Sequence, residues 1–486
     1  MRGWIFGASG LLAIATLVVA CGVGTDCDSG LCAGPIVKPD GGRDGPPAIP
    51  ADCILTKSPK ESKACVDDSV GIFVDRNGKT GAAGTMRDPL PSIGAAVTKA
   101  TSSQRTRVYI CDGKYEEVIV LNSPISIYGG FDCSWTNTGL KPRVSPLKGV
   151  ALELRSISDE VVIEDIDVTG LSDANTKGAS GIGAVVVDSK LTLRGVIITA
   201  GQGQEGAKGS SRSNYLTAAA AGLPASGTTG GADQTCSCAD GTKSIGGHGA
   251  DGDGTKESDG ASAPPVGLPN AGATMPSACN PGLGGAQGDA ATASEPVPPP
   301  GLIVDSGWEA SKLGESGKNG RPGQGGGGGG AKTMFLTPGG GGGCGGCGGA
   351  GGAAGGNGGA SIALISVRST VTAELGSLSS VGGGKGGAGG DGQPGQGGGA
   401  AGGSGGCAGG GGGAGAGGGG GAGGAGGDSF AVASMGGNEP VLKGTDTKPG
   451  TGGRPGDGGG PGTGNGTSGL VGKNGLPGRQ APKFRQ

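Results

Sequence analysis

The sequence predicts an all-β chain: a stack of short-stranded rungs from which long glycine-rich tracts leave and to which they return. Three observations carry this reading. Residues 183–201 (GAVVVDSKLTLRGVIITAG) read as two short strands with a corner, 184–187 and 191–199. Both are rich in Val, Ile, Leu and Thr and too short for helices. A fainter copy stands at 360–380 (ASIALISVRSTVTAELGSLSS). Both copies run directly into glycine-rich sequence, and 122 of the 486 residues are Gly, against a usual share of roughly 7%.

Composition bounds the partners. Net charge is −3 without a basic stripe, so nucleic acid is excluded as a partner, because phosphate neutralisation needs clustered Lys and Arg. Residues 66–200 hold enough Val, Ile and Leu for a core. The remainder has few large side chains and reads by default as low-complexity. Thirteen cysteines suit an oxidising compartment.

Residues 1–20 form a signal peptide: a basic start at Arg2, then apolar or small residues from Trp4 to Ala20. Val18-Val19-Ala20-Cys21 resembles the bacterial lipobox, which implies cleavage before Cys21 and lipid attachment there, with the membrane as partner. A plain secretory signal or a span at the short limit of length are the alternatives. Gly22, not Asp, follows Cys21. That resembles lipoproteins sent to the outer membrane, and places the protein in the cell envelope, at the outer membrane or cell surface. Residues 21–50 are a tether with almost nothing to bury, in which Cys27 and Cys32 could close a small loop. Without Cys21, twelve cysteines remain, an even number that suits disulfides.

Residues 51–200 are expected to form an N-terminal cap and the first rungs. Cys53 and Cys65 would close the cap. A strand is expected at 71–74. Pro91-Ser92 then starts a helix whose Ile93, Val97 and Ala100 share a face. Strands follow at 107–111, 117–121 and 125–131, with Cys111 and Cys133 as the best disulfide candidate. Further strands at 150–154 and 161–169 repeat at 184–187 and 191–199. Val150 to Gly183 is a spacing of 33, the sign of a β-solenoid. Beyond come a glycine-rich excursion (201–359), a rung (360–381), a second excursion (382–427), a degenerate rung (428–448) and a glycine-rich tail (449–486). Two readings of these tracts stand open: disordered linkers, or polyproline-II-like polyglycine strands bonded to one another. The strict Gly-X-Y period of collagen is read as absent.

The order GIFVDRNGKTGAAGTMRDPLPSIGAAVTKA (71–100), RVYICDGKYEEVIVL (107–121) and ISIYGGFDCSW (125–135) resembles the cap and first rungs of pectin-lyase-like proteins. The resemblance implies a right-handed parallel β-helix with an N-terminal cap helix. The whole chain is similar to uncharacterised glycine-rich (PGRS-like) bacterial lipoproteins. The likeness covers residues 51–205 well and the later rungs loosely, and implies no reaction.

Candidate chemistry is sparse. His248 is the only histidine and has no second ligand beside it. Cys344 and Cys347 have metal or redox spacing but lack two further zinc ligands or a thioredoxin-like context. A disulfide is the simpler expectation, with Cys279 or Cys407 as partners. Cys236 and Cys238 are too close to pair easily together, so at least one pairs elsewhere. The stretches 246–253, 386–393 and 423–430 partly match a calcium-binding nonapeptide, but they are not in tandem. Among Asp112, Glu116, Glu117, Glu164, Asp165 and Asp167, the group 164–167 is densest. Alternation sends Asp165 and Asp167 outward to solvent, and no matching Lys or Arg cluster stands out. No catalytic residue, metal or cofactor is therefore expected. The expected function is a surface-anchored lipoprotein with a structural, adhesive or interaction role, its partner a cell-surface or extracellular polysaccharide or protein. The alternative is a carbohydrate-binding or polysaccharide-degrading protein.

Overall fold

The computed structural model describes residues 48–265, 272, 278–296, 301–310, 312–403 and 407–486. Cys21, Cys27 and Cys32 lie outside them. The chain opens with β1 (Gly71–Val74), α1 (Ile93–Ser102), β2 (Arg107–Cys111), β3 (Lys114–Tyr115), β4 (Ile119–Leu121) and β5 (Ser126–Phe131). Ser92 caps α1 by accepting from the Ala95 N–H, and Ile93, Ala96 and Ala100 are buried. β6 (Asn137–Leu140) turns back antiparallel on β5, and β7 (Arg143–Val144) follows. Two strand triplets come next: β8 (Leu152–Arg155), β9 (Glu160–Glu164), β10 (Asp167–Gly170), then β11 (Gly181–Val187), β12 (Lys190–Arg194), β13 (Ile197–Ala200). β14 (Gln234–Ser237), β15 (Lys243–Gly246) and β16 (Ala261–Ala263) make a small antiparallel sheet, and β17 (Leu302–Val304) pairs with β18 (Gly307–Glu309). A third triplet is β19 (Ser361–Val367), β20 (Thr370–Glu374), β21 (Ser377–Ser380). A fourth is β22 (Ser429–Met435), β23 (Val441–Lys443), β24 (Asp446–Lys448), and β25 (Gln480–Arg485) ends the chain.

Each triplet gives one strand to each of three largely parallel sheets. The third triplet pairs with the second at a constant offset of 180 residues: Gly181 with Ser361, Lys190 with Thr370, Ile197 with Ser377. About 160 residues thus leave after β13 and come back to the adjacent register. The first and second triplets pair 32 residues apart at Leu152–Ala184 and 30 apart at Glu160–Lys190 and Asp167–Ile197, not 33. The expected second strands, 161–169 and 191–199, are each two strands. Asp165 (φ +53°) and Gly195 (φ +60°) break them with left-handed backbone. Apolar columns fill the interior between the sheets, such as Ile127–Ile163–Leu193–Ala373 and Val144–Val168–Ile198–Leu378. Most of the aromatic residues pack elsewhere. Phe73, Tyr109, Tyr128, Phe131 and Trp135 form one cluster, and Trp308 and Phe484 pack around Phe430.

The glycine-rich tracts are ordered by backbone hydrogen bonds. The N–H groups of Gly340, Gly343, Gly346, Gly349, Gly352, Gly355 and Gly358 donate to the carbonyls of residues 407, 410, 413, 416, 419, 422 and 425, at 2.8–3.0 Å. Ser361 to Asp428 continues the series directly into the β19–β22 ladder. A period of three is that of the polyproline-II helix, which has no internal hydrogen bonds and must find partners outside itself. The tract 407–427 finds them on several sides. Gly412, Gly415 and Gly418 donate to residues 399, 396 and 393; Gly413, Ala416 and Gly419 to 324, 321 and 318; Gly417, Gly420 and Gly423 to 467, 470 and 473.

Such contact leaves no room for a side chain on a covered face. A Cβ on Gly412 would lie 1.9 Å from the Cys344 carbonyl oxygen, and one on Gly415 2.0 Å from that of Cys347. The glycine pattern therefore reports how many faces of a strand are covered. Interior tracts read GGX or GGG, whereas the peripheral tract needs one glycine in three. Here Gly-X-Y spacing does occur, at Gly450, Gly453, Gly456, Gly459 and Gly462 and again at Gly469, Gly472, Gly475 and Gly478, correcting the reading that it is absent. The Gly450 N–H donates to Ser380 Oγ at the end of β21, and the other glycines named donate to backbone carbonyls of the glycine-rich tracts.

Candidate functional site

Each triplet turns between its second and third strands at one left-handed residue: Asp165, Gly195, Leu375 (φ +54°) and Gly444 (φ +57°). The residues just before these corners stack in register as Glu164, Arg194, Glu374 and Lys443. Their charges alternate. Arg194 Nε lies 3.5 Å from Glu374 Oε2, and Lys443 Nζ 3.0 Å from Glu374 Oε1. Such half-exposed pairs contribute on the order of 0–1 kcal/mol each.

The loop closed by the Cys53–Cys65 disulfide lies against the lower end of this ladder. Buried Arg107 holds it by donating to the carbonyls of Leu55 (2.6 Å) and Lys57 (2.9 Å), with its guanidinium 5.0 Å from the centre of the Tyr128 ring. Ser58 Oγ donates to Glu164 Oε1 at 2.7 Å. Lys60 Nζ contacts Asp165 Oδ2 and lies 3.8 Å from Glu164 Oε1. A cavity of about 590 Å³ opens here, lined by Lys60, Lys141, Glu164, Arg194, Glu374 and Leu375 among others.

Strand alternation does not hold at this corner. Asp165 is 6% exposed and Glu164 5%; a corner residue is released from the period-two rule that placed Asp165 in solvent. A basic set does face the carboxylates, but Lys60, Lys141 and Arg194 come from three separate segments. Burial pushes the Glu164 carboxyl above its ordinary range, as does the Asp165 charge, while the Ser58 hydrogen bond and Lys60 oppose this. Among the described residues Glu164 Oε2 has no hydrogen-bond partner. Asp167, half-buried, is likewise raised by burial, against Lys141 and Arg143. Lys60 Nζ already contacts the two carboxylates, so the donor set matches proton chemistry and polar ligands better than a cation.

The other sequence candidates are dispersed. Glu117 accepts from the Ile93 and Gly94 N–H groups at the start of α1, Glu116 pairs with Lys114 at 2.7 Å, and Asp112 sits half-buried beyond β2. His248 Nδ1 is 2.6 Å from the Gly249 carbonyl. Within the three partial calcium motifs, Asp251 pairs with Lys256, Asp391 accepts from the Gly460 N–H, and Asp428 pairs with Arg479. Among the described residues the one group with metal-ligand spacing is Asp75, Cys111 and Cys133, and its two thiols are joined to each other. Among the described residues the disulfides are Cys53–Cys65, Cys111–Cys133, Cys236–Cys344, Cys238–Cys347 and Cys279–Cys407. Cys279 and Cys407 pair with each other rather than with Cys344 or Cys347, because Cys236 in β14 and Cys238 just after it take both of those cysteines.

No protein-family model, no curated protein and no solved structure matches this chain. Among the described residues no helix is long and apolar enough to cross a membrane.

Proposed function

We propose that the chain is a bacterial envelope lipoprotein, anchored through lipid on Cys21, with a structural or adhesive role. In this reading its three parallel sheets close a right-handed β-helix of the pectin-lyase-like kind, and the polyglycine lattice is a rigid platform displayed at the outer membrane or cell surface. The observation that supports it most is the backbone bonding of the tracts at every third residue, continuous with the strand ladders. It makes a broad, stiff surface without needing a core. Binding of the purified protein to whole cells and to a polysaccharide panel tests the role: saturable binding without release of sugar products supports it, and failure to bind any surface removes it. Fatty-acid labelling that persists in Cys21→Ser would remove the anchor. The second reading, a carbohydrate-active protein, is favoured by the unpartnered Glu164 oxygen beside Lys141 and Arg194. It requires released reducing ends or unsaturated sugars that vanish in Glu164→Gln.

A further inference from the structure

We propose that Lys60 and Asp165 become joined by an intramolecular isopeptide bond after folding, with Glu164 as the catalytic carboxyl. The three groups meet at one point. Lys60 Nζ touches Asp165 Oδ2, and Glu164 Oε1 lies 3.8 Å from the same nitrogen. The Asp165 and Glu164 side chains are only 8% and 6% exposed, and Lys60, 44% exposed, reaches them from the solvent side of the loop.

Both reactants are held in place. Asp165 sits at a left-handed corner. Its carboxylate is wedged between two glycines: a Cβ on Gly195 would lie 2.6 Å from Oδ1, and one on Gly130 3.0 Å from Oδ2. Lys60 is carried on a loop closed by the Cys53–Cys65 disulfide and tied down by Arg107 and Ser58. Fixing an amine against a carboxyl in this way replaces a bimolecular encounter, which is what raises effective concentration. Glu164 is equipped to move protons. Ser58 fixes its Oε1, Oε2 is unpartnered, and burial favours its neutral form.

The step balances without an oxidant or co-reactant. The ammonium of Lys60 gives one proton to the Asp165 carboxylate, leaving a neutral amine and a carboxylic acid. The nitrogen lone pair attacks Asp165 Cγ and a C–N bond forms. Glu164 takes a second proton from nitrogen and delivers one to the departing hydroxyl. The Cγ–OH bond breaks, water leaves, and Glu164 returns to its starting state. The product is a secondary amide that staples the N-terminal loop to the corner after β9 and persists when the disulfides are reduced.

Mass spectrometry of the whole chain, reduced and denatured, tests this. The cross-linked chain is lighter by one water than its sequence. Trypsin does not cut after the acylated Lys60, and the digest holds a branched peptide containing residues 60 and 165. Glu164→Gln, an isosteric change, should keep the disulfides and circular dichroism spectrum yet show full sequence mass and cleavage after Lys60; Lys60→Arg should do the same. A wild-type chain at full mass with Lys60 cleaved overturns the proposal and leaves an ion pair. Cross-linking of Glu164→Gln at the wild-type rate overturns the role of Glu164.

Discussion

The strand triplets and the polyglycine lattice are joined by unbroken pairing, yet they are held together by opposite means. In the triplets, side-chain volume does the work: Leu364 is fully buried in register between Ala184 and Val432, and backbone bonds run only along the ladders. In the lattice the backbone bonds outward on several sides, and stability depends on side chains being absent. The tolerance of the two regions to substitution should therefore be inverted. Truncation harms the first, and a single added methyl harms the second.

Leu364→Ala tests the first half and carries the largest expected effect. It should lower unfolding free energy by about 2–5 kcal/mol through lost transfer energy and a residual cavity, measured as a shift of the denaturant midpoint. The lattice half is tested by two neighbouring glycines. A Cβ on Gly412 collides with the Cys344 carbonyl, whereas one on Gly411 meets nothing nearer than the Gly399 oxygen at 3.6 Å. Gly412→Ala should cost roughly 1–3 kcal/mol or more as overpacking. Gly411→Ala should be neutral or stabilising by at most about 1 kcal/mol, because it restricts the unfolded chain. Equal effects at both positions would mean that the tracts are not packed.

The smallest effect is a pH dependence. The folded carboxyl of Glu164 is raised above its ordinary 4.5, chiefly by burial. The native state therefore binds the extra proton, and stability from this group is complete below that ordinary value and is lost as pH rises through the raised one. Unfolding midpoints of Glu164→Gln should show a shallower decline over that window than wild type. Asp428, also raised chiefly by burial, keeps its own decline in both chains.

Much of the triplet body is legible in the residues, because runs such as those at 184–187 (AVVV) and 361–367 (SIALISV) have no other use for so many aliphatic side chains. The corners are only half legible. Gly195 and Gly444 advertise left-handed backbone, but Asp165 and Leu375 adopt it without glycine, and this hid the inward turn of Asp165. The groove was hidden further because its cations arrive from residues 60, 141 and 194, brought together by a docked loop. Cys53–Cys65 and Cys111–Cys133 were legible in the residues, but the pairings within the glycine-rich tracts could not be read without the lattice, since only the placement of residues 236–238 beside 340–359 sets Cys236 and Cys238 opposite Cys344 and Cys347. One lattice signal was present in plain sight: the change from GGX in 407–427 to Gly-X-Y in 450–478 separates interior from peripheral strands.

Amide hydrogen exchange along 340–359 and 407–427 tests the central claim most directly, since these tracts have no strands of their own to protect them. The lattice requires slow exchange at Gly412, Gly413 and Gly417 alike, each bonded to a different neighbour, and comparable to that of β19. Rapid exchange throughout both tracts, with protection confined to the triplets, would contradict it.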